Sequence, residues 1–292
     1  MFSRTALFSV LVVVAATVIA GCGDTGRGNN QRTVIAAFYP LAFAAEQIAA
    51  TGTVVENLTP AGAEPHDLEL TPGDVRAVDD ASLVLYLGKG FMPGLETAVE
   101  QREGRSLDLL ADEDLEPGRD EDGKVVRDPH VWLDPVRYAT MTRAIGAELG
   151  QVESAERLAD KLEQLDSEFR RGLATCECRQ IVTSHAAFDY LAARYDLEQV
   201  PLEGLSPEAE PSARGIADLV DLVQESGVTT VFFETLVSPK LAQTVAREAG
   251  VETAVLNPLE GLTDEEFSAG EDYFSVMRSN LAALQKALGC QR

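Results

Sequence analysis

Residues 180–188 read QIVTSHAAF, and this stretch shows the local pattern from which the fold can be predicted. Residues 180–183 are short and rich in β-branched side chains, which favours a buried strand, and a helical pattern at 187–195 follows almost at once. The same order of strand and then helix recurs on both sides of this stretch. Strands that alternate with helices form parallel sheets that are covered by helices on both faces. The sequence therefore predicts an α/β fold.

The other predicted elements follow the same order in two series. We predict further strands at 33–38, 53–58, 82–87, 106–110, 197–202, 229–234 and 252–256, and further helices at 41–50, 71–79, 92–101, 211–225, 239–249 and 266–288. Residues 111–128, between the series, are acidic and contain glycine and proline, which is typical of an exposed loop. From 135 to 175 apolar residues recur every three to four positions, and this spacing predicts one helix of roughly 50 Å.

The first 32 residues have the layout of an exported lipoprotein. A single basic residue, Arg4, precedes an uncharged apolar run that is short for a membrane-spanning helix, so we predict a signal peptide at 1–21. The end of the run, VIAGC, resembles the bacterial lipobox, and we predict that Cys22 is lipidated; the alternative is an ordinary signal peptide with an incidental cysteine. Residues 22–32 are polar and glycine-rich, as in a flexible tether. We therefore expect an exported protein, lipid-anchored at the outer face of the cytoplasmic membrane.

Composition narrows the classes of partner. The chain has 292 residues, of which 45% are hydrophobic, and this balance is normal for a globular protein of about two domains. It carries 24 basic and 48 acidic residues, for a formal net charge of −24. Such a polyanion repels phosphates, so we predict no nucleic-acid partner.

Three cysteines remain once Cys22 is assigned to the lipid. Since Cys176, Cys178 and Cys290 are an odd number, at most one disulfide can form within the chain. In an exported protein the natural bridge joins Cys290 with Cys178 or Cys176, and the sequence leaves the choice open. Zinc binding by the Cys-x-Cys pair is the alternative.

The three histidines of the chain all occupy junctions between predicted elements. His66 lies between a strand and a helix, His130 precedes the long helix, and His185 directly follows a strand. Ligands of open α/β sheets bind outside the carboxyl ends of the strands, where such loops converge. Because neutral imidazoles are good zinc ligands, the pattern predicts a metal site at His66, His130 and His185.

A tetrahedral site needs a fourth donor, and Asn257, directly after the last predicted strand, is the candidate by position. The alternative for Asn257 is a turn residue before proline. Histidine ligands usually donate their second ring N–H to a carboxylate. We assign that supporting role to Asp67, Asp128, Asp134 and Glu234.

The histidine motifs taken together resemble a known family. The segments EPHDLE at 64–69, DPHVWLDP at 128–135, TSHAAFDYL at 183–191 and LSPEAEPS at 205–212 are similar to those of the zinc/manganese solute-binding lipoproteins of ATP-binding-cassette importers. The resemblance covers about residues 33–288. It implies two α/β lobes with parallel central sheets, here 33–134 and 176–292, joined by one long rigid helix at 135–175. It also implies a metal site in the cleft between the lobes.

The resemblance places histidine ligands at His66, His130 and His185. The family's acidic ligand commonly precedes Pro-Leu or Pro-Ile, where this chain has Asn257, so the fourth position is the Asn257 oxygen, a water or a nearby carboxylate. The acidic loop at 111–128 lacks the histidines that zinc-type members often carry there.

We therefore predict high-affinity extracytoplasmic binding of a divalent transition metal and its delivery to an ATP-binding-cassette permease by a monomer that is not an enzyme. Three imidazoles with no obligatory anion suit Zn²⁺, with Mn²⁺ as the alternative ligand. The alternative functions are an adhesion lipoprotein with a structural metal and a zinc-dependent hydrolase, against which no separate nucleophile motif is present.

Overall fold

The computed structural model describes residues 32–119, 124–205 and 213–291, all within one structural unit, Gln31–Arg292. The predicted signal peptide, Cys22 and all but the last residue of the tether lie outside these residues. No helix in the described part of the chain is both long and apolar enough to cross a membrane.

The first sheet is parallel and has four strands, as the alternating pattern predicts. Its strands lie in the order β2-β1-β3-β4. The central strand β1 is buried because helices cover the sheet. The bounds are β1 (Arg32–Ala36), α1 (Tyr39–Ile48), β2 (Thr53–Asn57), α2 (Pro72–Asp80), β3 (Leu83–Tyr86), α3 (Pro93–Gln101) and β4 (Ser106–Asp108).

The segment predicted as an exposed loop at 111–128 contains a short antiparallel hairpin, β5 (Pro117–Arg119) and β6 (Val125–Arg127). The backbone N–H of Glu116 donates to the Tyr190 hydroxyl at 2.9 Å, and this hydroxyl donates to the Asp128 carbonyl at 2.9 Å. Since Tyr190 lies in the second series of strands and helices, this contact connects the segment to the second half of the protein.

The single helix predicted at 135–175 is two helices, α4 (Pro135–Leu149) and α5 (Val152–Gly172). Gly150 adopts the left-handed conformation, with φ of 71°, and ends α4, as glycine commonly does at a helix terminus. The chain then folds back, and α4 packs so closely on α5 that a Cβ at Gly146 would overlap Ala155. The expected length of the linking helix was therefore wrong: α5, with 21 residues, makes the link alone.

The second sheet repeats the first, with parallel strands in the order β10-β9-β7-β8. The α/β class with two parallel sheets and a long helix between them is confirmed. The bounds are β7 (Gln180–Thr183), α6 (Asp189–Arg194), β8 (Glu198–Pro201), α7 (Ala213–Ser226), β9 (Thr230–Phe233), α8 (Lys240–Ala249) and β10 (Glu252–Val255).

The C-terminal region returns to the linking helix. The helix predicted at 266–288 is divided into α9 (Asp264–Ala269) and α10 (Tyr273–Ala287), because Gly270, with φ of 78°, ends the first. A disulfide joins Cys176, just after α5, to Cys290, just after α10, while Cys178 is a free, half-buried thiol. The disulfide choice that the sequence left open is thus Cys176.

Candidate metal centre

Four side chains from distant parts of the chain converge on one point: His66, His130, His185 and Glu260. One ligand atom from each lies within 4.8 Å of the ligand atoms of the other three. His130, His185 and Glu260 are fully buried, whereas the His66 side chain is 11% exposed. The three histidines singled out by the sequence are therefore brought together, and a carboxylate joins them.

Each donor follows a strand or stands at the joint between the sheets. His66 is in a 3₁₀ turn, Pro65–Asp67, after β2, and His130 precedes a 3₁₀ turn, Val131–Leu133, that leads into α4. His185 follows β7, and Glu260 lies beyond the end of β10. Because the strands are parallel, their carboxyl ends meet at one edge of each sheet, which explains the convergence.

Two of the histidines are oriented by carboxylates. His130 Nδ1 lies 2.7 Å from Asp128 Oδ1, and His185 Nδ1 lies 2.6 Å from Glu234 Oε1. Since a carboxylate only accepts hydrogen bonds, each Nδ1 carries a proton, and Nε2, which faces Glu260, is the ring nitrogen that can bind a metal ion once it is unprotonated. Asp128 and Glu234 thus occupy the supporting position that the sequence assigned to them.

The other two acids predicted for that role lie elsewhere. Asp67 is exposed, although it follows His66 directly. Asp134 accepts the backbone N–H of Val136 at 2.8 Å as the N-cap of α4, and it pairs with Arg194 at 3.1 Å. Asp134 therefore stabilises a helix terminus, and neither acid contacts a histidine of the group.

Glu260 is the centre of the group. Its Oε1 lies 2.9 Å from Nε2 of His130, 3.3 Å from Nε2 of His66 and 3.6 Å from Nε2 of His185. Two donors bound tetrahedrally at about 2 Å from a zinc ion lie about 3.3 Å apart. The three distances to Glu260 Oε1 are therefore close to those between ligands around a single ion of this size.

A constrained turn aims Glu260 at the histidines. The preceding residue, Leu259, has φ of 57°, a left-handed conformation that is unfavourable for a branched side chain. The Asn257 side-chain oxygen accepts the Leu259 N–H at 2.7 Å, and the Pro258 carbonyl accepts the Trp132 indole N–H at 2.8 Å. These contacts hold the loop after β10 against the segment that carries His130.

Asn257, the residue predicted as fourth donor, is used for this turn. Its oxygen is occupied by the Leu259 N–H, and its side-chain amide donates to Thr235 Oγ1 and to Glu266 Oε1, each at 3.1 Å. The polar atoms of the Asn257 side chain are thus engaged in hydrogen bonds, and the side chain from this loop that lies among the histidines is Glu260. A signal was present in the sequence: Glu260 is the only acid between 253 and 263, the segment that follows the last strand.

Charge is balanced within the group. Burial lowers the pKa of His130 and of His185, but the neighbouring carboxylates Asp128, Glu234 and Glu260 outweigh burial and raise both pKa values. Burial raises the pKa of Glu260, but the hydrogen bonds from His130 and His66 and the nearby His185 imidazole hold it well below its usual range. Burial and the Glu260 charge raise the pKa of nearby Glu64 to about 9. The carboxylates thus favour a positive charge at this point.

Three imidazoles and one carboxylate form a donor set suited to a divalent transition metal. Nitrogen donors favour zinc, since manganese is the weakest binder in the divalent series and prefers oxygen. Four donors from the protein satisfy tetrahedral zinc completely, as in sites that hold the ion without catalysis. Fold and site together define a two-sheet α/β protein with a group of side chains that could hold a metal ion at the joint between its halves.

Comparison with known proteins identifies the family. The family model of zinc-uptake complex component A, periplasmic (ZnuA), matches residues 34–287, and the chain belongs to this family. The high-affinity zinc uptake system protein ZnuA of Bacillus subtilis is 34% identical to this chain over an alignment of 312 residues, gaps included. The alignment covers 96% of this chain and 98% of the relative. The predicted family membership is confirmed.

A further relative, for which a domain structure is solved, comes from Streptococcus pneumoniae. The zinc-binding lipoprotein AdcA is 35% identical over 299 residues, and the match spans 95% of this chain but only 60% of AdcA. The crystal structure of its Zn(II)-bound ZnuA-like domain has a TM-score of 0.76 and 36% identity, and the match covers 88% of this chain and 99% of that domain.

Proposed function

We propose that this protein binds Zn²⁺ outside the cytoplasm through His66, His130, His185 and Glu260 and delivers it to an ATP-binding-cassette permease. The observation that carries the proposal is the convergence of these four donors within 4.8 Å. The names of the relatives, a zinc-binding lipoprotein and a zinc uptake system protein, support the same conclusion.

The donor set supports transport rather than catalysis. A catalytic zinc ion keeps a coordination position open for water or substrate, whereas here a fourth protein donor, Glu260, lies among the imidazoles. The protein in this proposal acts alone as a carrier and has no enzymatic activity.

The anchor is part of the proposal. Lipid attached to Cys22 would hold the protein at the outer face of the membrane, close to the permease, and residues 22–32 would serve as the tether. Changing Cys22 to Ala is expected to move the exported protein from the membrane fraction to the soluble fraction. Unchanged membrane retention would contradict the proposed anchor and leave the metal site untouched.

Metal analysis tests the central proposal. The purified mature chain is expected to hold one zinc per molecule and to prefer zinc to manganese in competition with a chelator. His130→Ala removes a buried donor and should abolish stoichiometric binding, whereas Asp67→Asn, an exposed change beside His66, should leave it intact. Tighter binding of manganese than of zinc would overturn the assignment of the ion.

A further inference from the structure

A second group of possible metal ligands lies beside the histidines and consists only of carboxylates: Glu64, Glu234 and Glu260. One oxygen from each lies within 4.8 Å of an oxygen from each of the other two. Glu234 and Glu260 are buried, at 2% and 0% exposed, and Glu64 is half-buried. Glu260 belongs to both groups, so the two sets of donors are adjacent.

The carboxylates are only partly satisfied. Oε1 of Glu64 accepts the His66 backbone N–H at 3.3 Å, and Oε1 of Glu234 accepts from the Ser184 hydroxyl at 2.6 Å. In contrast, Oε2 of Glu64, Glu234 and Glu260 is buried and has no hydrogen-bond partner among the described residues. A buried carboxylate oxygen is costly unless a hydrogen bond or a cation compensates it. Three such oxygens in one group point to a bound positive charge.

The charge of the site gives an independent argument. A zinc ion bound by three neutral imidazoles brings two positive charges. The acids that pair with the buried imidazoles, Asp128, Glu234 and Glu260, bring as many as three negative charges, one more than the charge of the ion. Zinc at the histidines therefore leaves negative charge in a poorly hydrated region, and a second divalent cation would balance it.

We propose that Glu64, Glu234 and Glu260 form an oxygen-donor subsite for a second divalent cation, with Glu260 bridging the two ions. Carboxylate oxygens suit hard divalent ions such as Mn²⁺, and two metal ions that share a site typically lie about 3.5–4 Å apart. His66 and Glu64 are the members of the two groups with exposed surface, so an arriving ion meets this subsite at the accessible side. The proposal rests on the zinc function above, because it requires Glu260 beside a loaded histidine site.

Manganese titration of the zinc-loaded protein tests the proposal. The mature chain is loaded with one equivalent of zinc and titrated with Mn²⁺ in 0.15 M salt, and free Mn²⁺ is followed by its paramagnetic resonance signal. Glu64→Gln keeps the shape of the side chain and removes its charge. Glu69→Gln is the matched control, because Glu69 is an exposed acid of the same segment. Zinc content is measured in every sample.

The wild-type protein and Glu69→Gln are expected to bind one Mn²⁺ without releasing zinc. The Mn²⁺ affinity of Glu64→Gln should be lower by about tenfold or more, since affinity follows the number of charged ligands. Retained zinc in Glu64→Gln shows that this variant is folded. Equal Mn²⁺ affinity in the two variants, displacement of zinc by Mn²⁺, or no Mn²⁺ bound to zinc-loaded wild type would each overturn the subsite. Failure of the wild type to hold zinc would instead overturn the proposed function.

Discussion

Oε1 of Glu260 lies 2.9 Å from Nε2 of His130, although 130 residues separate them in sequence. The contact joins the loop after β10 to the segment that precedes α4, so it ties the second sheet to the helices that follow the first. The same oxygen approaches His66 and His185. A metal ion at this point would therefore be held by side chains from both halves of the protein.

Glu260 is expected to be essential for tight zinc binding. Glu260→Gln removes the only anionic donor of the four, and the affinity for zinc should fall by about 100-fold or more. Loss of a residue that merely hydrogen-bonds a metal ligand typically lowers affinity by about 10–100-fold, so loss of a ligand should cost at least as much. Chelator competition measures the effect. Glu265→Gln, an exposed change in α9, is the control and should bind as the wild type does. An unchanged affinity in Glu260→Gln would remove this residue from the ligand set.

Asp128 should matter through His130. Asp128→Asn weakens the acceptor of the His130 Nδ1 proton, which lies 2.7 Å from Asp128 Oδ1, and zinc affinity should fall by about 10–100-fold. Asp67→Asn serves as the comparison, because Asp67 is exposed and does not orient a ligand. Similar affinities for the two variants would show that the carboxylate does not support the site.

Changing Asn257 to Asp should destabilise the protein rather than improve the site. Its side-chain amide donates to Thr235 and Glu266, and an aspartate cannot donate to either and places a carboxylate against Glu266. We expect a loss of about 1–3 kcal/mol in the free energy of unfolding, measured in urea. Zinc affinity should change by only a few-fold, and a marked tightening would indicate that residue 257 reaches the ion.

The metal-free and zinc-loaded proteins should respond to pH in opposite ways. Neighbouring carboxylates outweigh burial and raise the pKa of His130 and His185 in the metal-free protein, so protonated imidazoles stabilise it. That contribution is complete below the ordinary histidine pKa of about 6.5 and is lost as pH rises through the raised values. Burial and the Glu260 charge raise the pKa of Glu64 to about 9, so Glu64 ionises more readily in the unfolded chain. It therefore also lowers the stability of the metal-free protein as pH rises.

Zinc binding displaces those protons, so zinc affinity should increase with pH over the same range. Urea unfolding of the metal-free protein at pH 6 and pH 8.5, paired with chelator competition at both values, measures the two trends. A metal-free protein that became more stable at the higher pH would contradict the balance of charges described here.

The disulfide should contribute to stability without acting on the metal. It joins Cys176 to Cys290 across 114 residues, and the chain-entropy model gives a stabilisation of about 4–5 kcal/mol at most for such a loop. Cys290→Ala should lower the free energy of unfolding, whereas Cys178→Ala, which removes the free thiol, should have a small effect. Zinc affinity should be kept in both, since Cys178 precedes β7 and Cys290 follows α10, whereas His185 lies beyond the opposite end of β7. Peptide mapping that linked Cys178 to Cys290 would contradict the pairing.

The sequence predicted the class of fold because its signals are local. Apolar runs followed by helical patterns, as at 180–195, give parallel sheets from hydrophobic burial alone. Two helix boundaries were missed: Gly150 and Gly270 each end a helix in the left-handed conformation. A glycine in a helical pattern is compatible with either continuation or a stop, and packing decides, as the close approach of Gly146 to Ala155 shows.

The histidines were predictable for a related reason. Each histidine follows a strand or stands at the joint between the halves. The order of the strands therefore places all three at the carboxyl ends of the parallel sheets, independently of the details of side-chain packing. The partners of His130 and His185 could also be named, since Asp128 is two residues away and Glu234 ends a neighbouring strand.

Local patterns in the sequence were enough to predict the α/β fold with two parallel sheets and the three histidines that converge between them. The fourth member of the group could be recognised only in the folded chain. Asn257 and Glu260 share one loop, and their order along the chain does not show which side chain points inward. The left-handed turn at Leu259, held by the oxygen of Asn257, uses Asn257 for the backbone and directs Glu260 to the histidines. The choice between Asn257 and Glu260 as the fourth donor thus depends on a hydrogen bond and a backbone angle that exist only once the chain has folded.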